Sequence, residues 1–102
     1  EDKELAKRDL LNHFYTRKGE RLGEPEFGSI LPELIFEQLD DATIELVEED
    51  VISVVSTDPR WQFQDVRVTL EEHSIECEIQ LIYLTDGTAD QLYLKYTSEE
   101  EI

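Results

Sequence analysis

Apolar residues in the first part of the chain recur at the spacing of helices. A helix is predicted over residues 3–15, because one of its faces is apolar and Asp2 can cap its start. That face consists of Ala6, Leu10, Leu11 and Phe14. Arg17, Lys18 and Gly19 follow, and a basic segment with a glycine is typical of a helix C-terminus.

Two further helices are predicted before Pro59. The shorter runs over Ile30–Gln38, and the longer begins at a cap provided by Asp40 or Asp41. The longer helix ends near Ser56, because the residue before a proline is disfavoured in the α conformation. Their apolar sides consist of Leu31, Leu34 and Ile35 in the shorter helix and of Ile44, Val47, Val51, Val54 and Val55 in the longer one. The solvent side of the longer helix is expected to hold Glu45, Glu48, Glu49 and Asp50.

After Pro59 the pattern changes to alternation with period two, which is typical of half-buried strands. Three inward-facing sets are predicted: Val66, Val68 and Leu70; Ile75, Cys77, Ile79, Leu81 and Tyr83; Leu92, Leu94 and Tyr96. Trp61 and Phe63 are out of phase with Val66, which indicates a bulge near Gln64-Asp65. The predicted fold is α+β, with N-terminal helices followed by a three-stranded antiparallel β-meander, and we expect residues 1–102 to form one domain.

The net charge is strongly negative and unevenly distributed. The formal charge is −17 at pH 7, with −1 in residues 1–28 and −16 in residues 29–102. Nucleic-acid binding and attachment to an anionic membrane both need a basic surface, so neither is expected. The acidic part is interpreted either as a surface for proteins with basic faces or as a solvated face without a partner.

One pair of carboxylates has a spacing that allows chemistry. Glu24 and Glu26 flank Pro25, so in an extended segment their side chains point the same way, as a glycoside hydrolase would need. Arg17 and Arg21 lie nearby and offer these acids a simpler role as ion-pair partners.

The remaining reactive side chains stand alone. His13 is predicted to be partly buried and hydrogen-bonded, His73 to lie in a turn, and Cys77 to lie in the core. No group of residues has metal-ligand spacing, and no phosphate-binding glycine loop follows a strand. No catalytic residue, metal ion, cofactor or small-molecule substrate is therefore predicted.

The connector over residues 15–28 is the segment that packing explains least. It holds three Lys or Arg residues, three of the four glycines and one of the three prolines. Loops held on a scaffold commonly carry function, so this connector is predicted to be a recognition surface.

The order of residues in and around the connector resembles a known family. The matching segments are Arg8-Asp9-Leu10-Leu11, Thr16-Arg17-Lys18-Gly19-Glu20-Arg21, Pro25-Glu26-Phe27-Gly28-Ser29, Leu34-Ile35-Phe36-Glu37, Glu48-Glu49-Asp50 and Asp58-Pro59-Arg60. They are similar to the baseplate wedge subunits of contractile-tailed, T-even-like phages, also called baseplate assembly protein W or lysozyme-like baseplate proteins. A related subunit serves the type VI secretion baseplate.

The resemblance implies a structural, non-enzymatic subunit of the virion tail baseplate that assembles in the host cytoplasm. Its implied partners are the other baseplate wedge proteins, whose helical core bundle it would bind, and the tail sheath protein, for which it would provide an assembly platform through strand exchange. The implied wedge-facing motif consists of Arg17, Gly19, Glu20, Arg21, Pro25, Glu26, Phe27 and Gly28, with Phe27 anchoring the loop in the core. The candidate strand-acceptor edge consists of Tyr93, Leu94, Lys95 and Tyr96.

Two other functions stay open at this point. One is a lysozyme-like glycoside hydrolase that uses Glu24 and Glu26, and the other is an acidic mimic of DNA that occupies a host enzyme, although a mimic would leave the mixed-charge motif unexplained. The chain departs from the family at Glu24, where a basic or small polar residue often precedes the proline. The family's N-terminal extension is also absent, so we expect this sequence to lack its natural N-terminus.

Overall fold

The computed structural model describes residues 2–98, which form three helices followed by three strands. The helices are α1 (Lys3–Tyr15), α2 (Leu31–Leu34) and α3 (Asp41–Ser56), and the strands are β1 (Trp61–Glu71), β2 (Ser74–Tyr83) and β3 (Thr88–Thr97). The strands pair in the order β1-β2-β3, and both pairs are antiparallel. The predicted α+β fold with a three-stranded antiparallel meander is confirmed.

Both long helices begin at predicted aspartate caps. The side chain of Asp2 accepts a hydrogen bond from the Glu4 amide at 3.0 Å. Asp40 and Thr43 form a capping box, in which each side chain bonds to the backbone N–H of the other residue. Two of the amide groups that a helix start leaves unpaired are thereby satisfied in α3.

The second helix is shorter than predicted. It ends at Leu34 instead of Gln38, and the chain continues through turns with i→i+3 hydrogen bonds. Leu39 packs against the core, but the helix has already ended before it, and the carbonyl of Gln38 accepts a hydrogen bond from the Thr43 hydroxyl at 3.1 Å. The predicted stripe of Leu31, Leu34 and Ile35 is buried as expected.

One face of the sheet forms the core together with the helices. The central row on β2 is fully buried, whereas the facing row on the edge strand β1 is only partly buried. The buried cluster contains Ala6, Leu10 and Phe14 from α1, Val47, Val51, Val54 and Val55 from α3, and Ile75, Cys77, Ile79, Leu81, Tyr83, Leu92, Leu94 and Tyr96 from the sheet. The predicted inward sets of all three strands therefore share one face.

The predicted bulge in β1 brings its two aromatic residues onto the core face. The pairing with β2 shifts between Phe63 and Asp65, so Gln64 is the extra residue. Trp61 is 3% exposed, and its indole N–H donates to the Ala6 carbonyl at 3.4 Å. Trp61 is thus a core residue that ties the start of the sheet to α1.

Candidate interaction site

Residues 16–29, which we call the closed loop, leave α1 and return to the point of departure. The Ser29 amide donates to the Thr16 carbonyl at 2.8 Å, and the Lys18 amide donates to the Ser29 carbonyl at 3.2 Å. These bonds form a short parallel bridge between the two ends of the loop. The loop is therefore a compact surface feature whose ends are fixed by the backbone.

Gly28 makes this closure possible. Its φ is +115°, a conformation that residues with a side chain rarely adopt. A Cβ atom at this position would lie 2.7 Å from the carbonyl carbon and oxygen of Arg17 and from the amide nitrogen of Lys18. The two ends of the loop can approach each other only because residue 28 has no side chain.

A buried hydrogen bond joins the closed loop to α3. The hydroxyl of Ser29 donates to the Asp50 carboxylate at 2.5 Å and accepts from the Leu31 amide at 3.0 Å. Asp50 is 6% exposed, so its predicted place on the solvent side of α3 was wrong. The serine provides the donor that a buried carboxylate requires, and this explains why an acid is tolerated on the packed side of the helix.

Phe27 packs on the surface of α1 and not in the core. Its ring stacks on His13 with centroids 4.1 Å apart, and the Arg21 guanidinium carbon lies 3.9 Å from the ring centroid on Phe27. The expectation that Phe27 anchors the loop in the core is therefore wrong: Phe27 is half-buried between an imidazole and a guanidinium. Stacking and a cation–π contact fix the loop against the helix at this point.

Most charged groups of the motif are paired within the chain. Arg17 forms an ion pair with Glu33 at 2.9 Å, Arg21 forms one with Glu24 at 2.9 Å, and the Glu20 carboxylate accepts from the Arg17 amide at 3.1 Å. Within residues 2–98, Glu26 is an exposed acid with no such partner. Its charge is available to a group outside the chain.

The closed loop forms one wall of a cleft of about 760 Å³. α1 forms a second wall, and the turn over residues 57–60 between α3 and β1 forms a third. The cleft is lined by Asp9, Leu10, His13, Glu24, Pro25, Glu26, Phe27, Thr57, Asp58, Pro59 and Arg60. Two segments that are far apart in sequence, Pro25–Phe27 of the motif and Asp58–Arg60, therefore face the same space.

Arg60 organises the charges of the cleft wall that the turn over residues 57–60 forms. Its guanidinium donates to both carboxylate oxygens of Asp58, at 2.9 and 2.7 Å, and contacts Asp9 at 3.2 Å. Burial alone would raise the pKa of Asp58, but the hydrogen bonds from the side chain and amide of Arg60 outweigh it and hold this pKa below its ordinary value. Asp58 is thus a stably ionised, structural carboxylate.

His13 lines the cleft and is partly buried and hydrogen-bonded, and its partial burial and hydrogen bond are as predicted. Burial lowers its pKa, and this effect outweighs a hydrogen bond to the Gly28 backbone, which acts in the opposite direction. A neutral imidazole is the form that stacks on Phe27 near neutral pH. The histidine therefore serves the packing of the loop.

The two candidate catalytic acids line the cleft, but not in the predicted conformation. The Phe27 amide donates to the Glu24 carbonyl at 3.1 Å, so Pro25 and Glu26 occupy the middle of a β-turn instead of an extended segment. Glu24 is paired with Arg21. Within the described residues, no group of three His, Cys, Asp or Glu side chains could hold a metal ion, and no helix is long and apolar enough to cross a membrane.

The candidate strand-acceptor edge lies on β3, an outer strand of the sheet. Leu94 and Tyr96 are buried, and the Tyr96 hydroxyl donates to the Phe14 carbonyl at 2.7 Å. Tyr93 and Lys95 are exposed on the opposite face, where Lys95 contacts Glu76 at 3.7 Å. Acceptance of a strand at this edge stays a prediction.

Comparison with protein families decides what the chain is. The sequence model of the family described as "Baseplate wedge protein gp25" matches residues 1–88, which includes the closed loop, the cleft and the first two strands. The chain belongs to this baseplate wedge family. It is therefore a structural component of the viral tail baseplate, and the resemblance noted in the sequence is confirmed.

The fold of this wedge-family chain also occurs in a solved structure. A crystal structure of a protein from Geobacter sulfurreducens, provisionally named a tail lysozyme, superposes with a TM-score of 0.83. The two chains are 20% identical, and the match covers 98% of this chain and 94% of the other. At this identity the likeness concerns the fold alone. No curated protein matches the chain in sequence.

Sequence reasoning missed several residues of the wedge protein's cleft. Asp9 and His13 come from α1, and Asp58 and Arg60 come from the turn before β1. The Asp58-Pro59-Arg60 segment is part of the resemblance, but its position in the same cleft as the closed loop follows from tertiary packing. Asp50 was detectable, because it stands three residues after Val47 and four before Val54, on the apolar stripe.

Proposed function

We propose that this baseplate wedge protein is a non-enzymatic subunit that binds the other wedge proteins through the closed loop and the cleft beside it. The same subunit would offer the edge of β3 to the tail sheath protein as a platform for sheath assembly in the host cytoplasm. Family membership supports the baseplate location and the existence of baseplate partners. The geometry of the loop and the edge supports the finer assignments.

The closed loop has the properties of a preorganised binding surface. Its ends are bridged, Ser29 ties it to α3, and Phe27 fixes its returning segment on α1. A loop held in this way loses little conformational freedom on binding, which favours affinity. At its tip Leu22 is 99% exposed, and Glu26 on the cleft side has no partner within residues 2–98.

The chemistry of the cleft indicates what the partner presents there. Leu10, Pro25 and Phe27 provide apolar walls, and the carboxylate of Glu26, which has no ion-pair partner within residues 2–98, also lines the cleft. A helix of a wedge protein that presents an apolar side chain next to a lysine or arginine would match this surface. The apolar side chain would pack against the walls, and the basic group would pair with the carboxylate. The strongly negative charge of the whole chain would speed its encounter with such a basic partner.

A hydrolase is disfavoured by the state of the acids in the cleft. Glycoside hydrolysis needs one carboxyl group that stays protonated near neutral pH, through a raised pKa, and a second that is ionised. Asp9 and Asp58 are both held in ion pairs by Arg60, and Glu24 is held in an ion pair by Arg21, so these three acids already have structural partners. Glu26 alone cannot supply both roles.

Co-purification with the wedge proteins of the same virus tests the proposal. We would compare the wild type with Glu24→Gln/Glu26→Gln, and with Glu45→Gln/Glu49→Gln as a control that removes the same charge from exposed positions on α3. We expect the loop variant to retain about tenfold less wedge protein, corresponding to a loss of roughly 1.4 kcal/mol, and the control to behave as wild type.

Peptidoglycan hydrolysis would be assayed on the same samples. Wedge binding without hydrolysis supports the structural role. Hydrolysis by the wild type that disappears in Glu24→Gln/Glu26→Gln would establish the lysozyme-like function instead and would make the loop part of an active site.

A further inference from the structure

The edge of β3 is covered at one point by the last residue of α1. The Tyr15 hydroxyl accepts a hydrogen bond from the Lys95 amide at 3.1 Å and donates to the Lys95 carbonyl at 3.4 Å. The rings of Tyr15 and Tyr96 lie 5.0 Å apart, which positions the hydroxyl beside the strand. One side-chain group thus occupies both backbone groups that Lys95 could offer to another chain.

These two bonds also reveal which residues of β3 face outward. In an antiparallel ladder, the backbone groups of alternate residues point to the same side. The N–H and C=O groups of Tyr93 and Gln91 therefore point away from β2, as those of Lys95 do. The Gln91 amide donates to the Asp90 carboxylate at 2.7 Å, and this carboxylate also contacts Lys7 of α1 at 3.3 Å. Between these two covered positions, Tyr93 presents an amide with no partner among the described residues.

Strand addition requires a continuous row of such groups on an exposed edge. A strand that pairs with Tyr93 and continues toward the end of β3 must next pair with Lys95, where the Tyr15 hydroxyl already lies. Tyr15 is 47% exposed and is followed directly by the closed loop, so it can turn outward without disturbing the buried part of α1.

We propose that Tyr15 is a plug on the acceptor edge: it competes with an incoming strand for the backbone of Lys95 and must be displaced before the strand can pair along the whole of β3. This inference rests on the proposed addition of a sheath strand at β3. The plug also protects the edge of the unassembled subunit, because it interrupts the row of free N–H and C=O groups that self-association would need.

Amide hydrogen exchange in the isolated chain tests the plug directly. In the wild type, the Lys95 amide should exchange at least about tenfold more slowly than the Tyr93 amide, after correction for intrinsic rates, because of these two amides Lys95 alone has an acceptor within residues 2–98. In Tyr15→Phe this protection of Lys95 should disappear. Equal exchange of the two amides in the wild type would overturn the proposal.

Binding to the purified, monomeric sheath protein of the same virus tests the competition. Since the net contribution of one hydrogen bond is about 1 kcal/mol, Tyr15→Phe should bind about threefold to tenfold more tightly than wild type. Tyr15→Ala, which also removes the ring, should gain at least as much. Thr16→Val is the control, because it removes a neighbouring hydroxyl that donates to the Asn12 carbonyl and has no other bond among residues 2–98, and its affinity should not change.

A further variant separates failure of the plug from failure of the acceptor edge. Tyr93→Pro removes the outward amide from the middle of β3 and should abolish binding if the strand adds there. If Tyr93→Pro abolishes binding but neither Tyr15 variant tightens it, the plug is refuted and the acceptor edge stands. If the sheath protein binds Tyr93→Pro as well as wild type, or does not bind the chain at all, both proposals are refuted.

Discussion

Replacement of Gly28 by alanine tests whether the closure of the loop depends on the missing side chain. The new Cβ would lie 2.7 Å from three backbone atoms of Arg17 and Lys18, and backbone atoms cannot move aside as a flexible side chain can. Relief of this steric clash requires the two ends of the loop to separate. Separation breaks the two bridging hydrogen bonds made by the Ser29 backbone, which are worth about 1 kcal/mol each. The strained φ adds roughly 1–3 kcal/mol. We therefore expect Gly28→Ala to lose about 3–5 kcal/mol, a large share of the roughly 5–15 kcal/mol that stabilises a typical domain.

Gly23→Ala is the matched control for this experiment. Gly23 also has a positive φ, +82°, but no atom lies within 4 Å of its added Cβ, so the substitution carries only the conformational cost of roughly 1–2 kcal/mol. Urea denaturation measures both variants. With a slope near 2 kcal/mol per molar urea, the midpoint should fall by about 2 M for Gly28→Ala and by less than about 1 M for Gly23→Ala. Equal shifts of the two midpoints would refute the idea that close approach at Gly28 holds the loop shut.

Three further outcomes follow from buried groups. Ser29→Ala leaves the Asp50 carboxylate buried without its donor, so it should lower the free energy of unfolding by about 2 kcal/mol in urea titrations, and an unchanged midpoint would contradict this role. The pKa of Asp58 is lowered in the fold, so its contribution to stability is complete above the unfolded pKa of about 4 and is lost as the pH falls through the folded value. The difference in unfolding free energy between wild type and Asp58→Asn should accordingly shrink below about pH 4. A constant difference down to pH 2 would exclude this contribution of the ionised Asp58 carboxylate to stability. Burial raises the pKa of Cys77 to about 12, so the thiol should react with a disulfide reagent at pH 8 only as the protein unfolds, and prompt reaction of the native protein would show that the site is open.

The local features of this fold could be predicted because short-range physics specifies them. The caps at Asp2 and Asp40 depend on residues within one helical turn, and the burial of the β2 row follows from strict alternation along one strand. The bulge near Gln64 was visible as a change of phase in the same pattern. Each of these signals lies within about ten residues of sequence.

The features that the sequence did not predict depend on contacts between distant segments. Phe27 looks like a core residue in isolation, but its place between His13 and Arg21 exists only because the loop folds back onto α1. Asp50 looks like one more exposed acid in an acidic helix, and only the arrival of Ser29 gives it a buried partner. The cleft likewise joins α1, the loop and the turn before β1, which no local pattern connects.

The most direct test of the central claim is incorporation of Glu26 variants into baseplates in competition with the wild type. Equal amounts of Glu26→Ala and wild-type chain would be supplied during infection, with Glu45→Ala as the control, and their ratio in purified baseplates measured by mass spectrometry. Glu26 is exposed and has no ion-pair partner among residues 2–98, so its loss should leave the fold and the urea midpoint unchanged. We predict that Glu26→Ala is depleted severalfold from baseplates while Glu45→Ala is not. Equal incorporation of Glu26→Ala and wild type would contradict the claim that the closed loop binds the wedge.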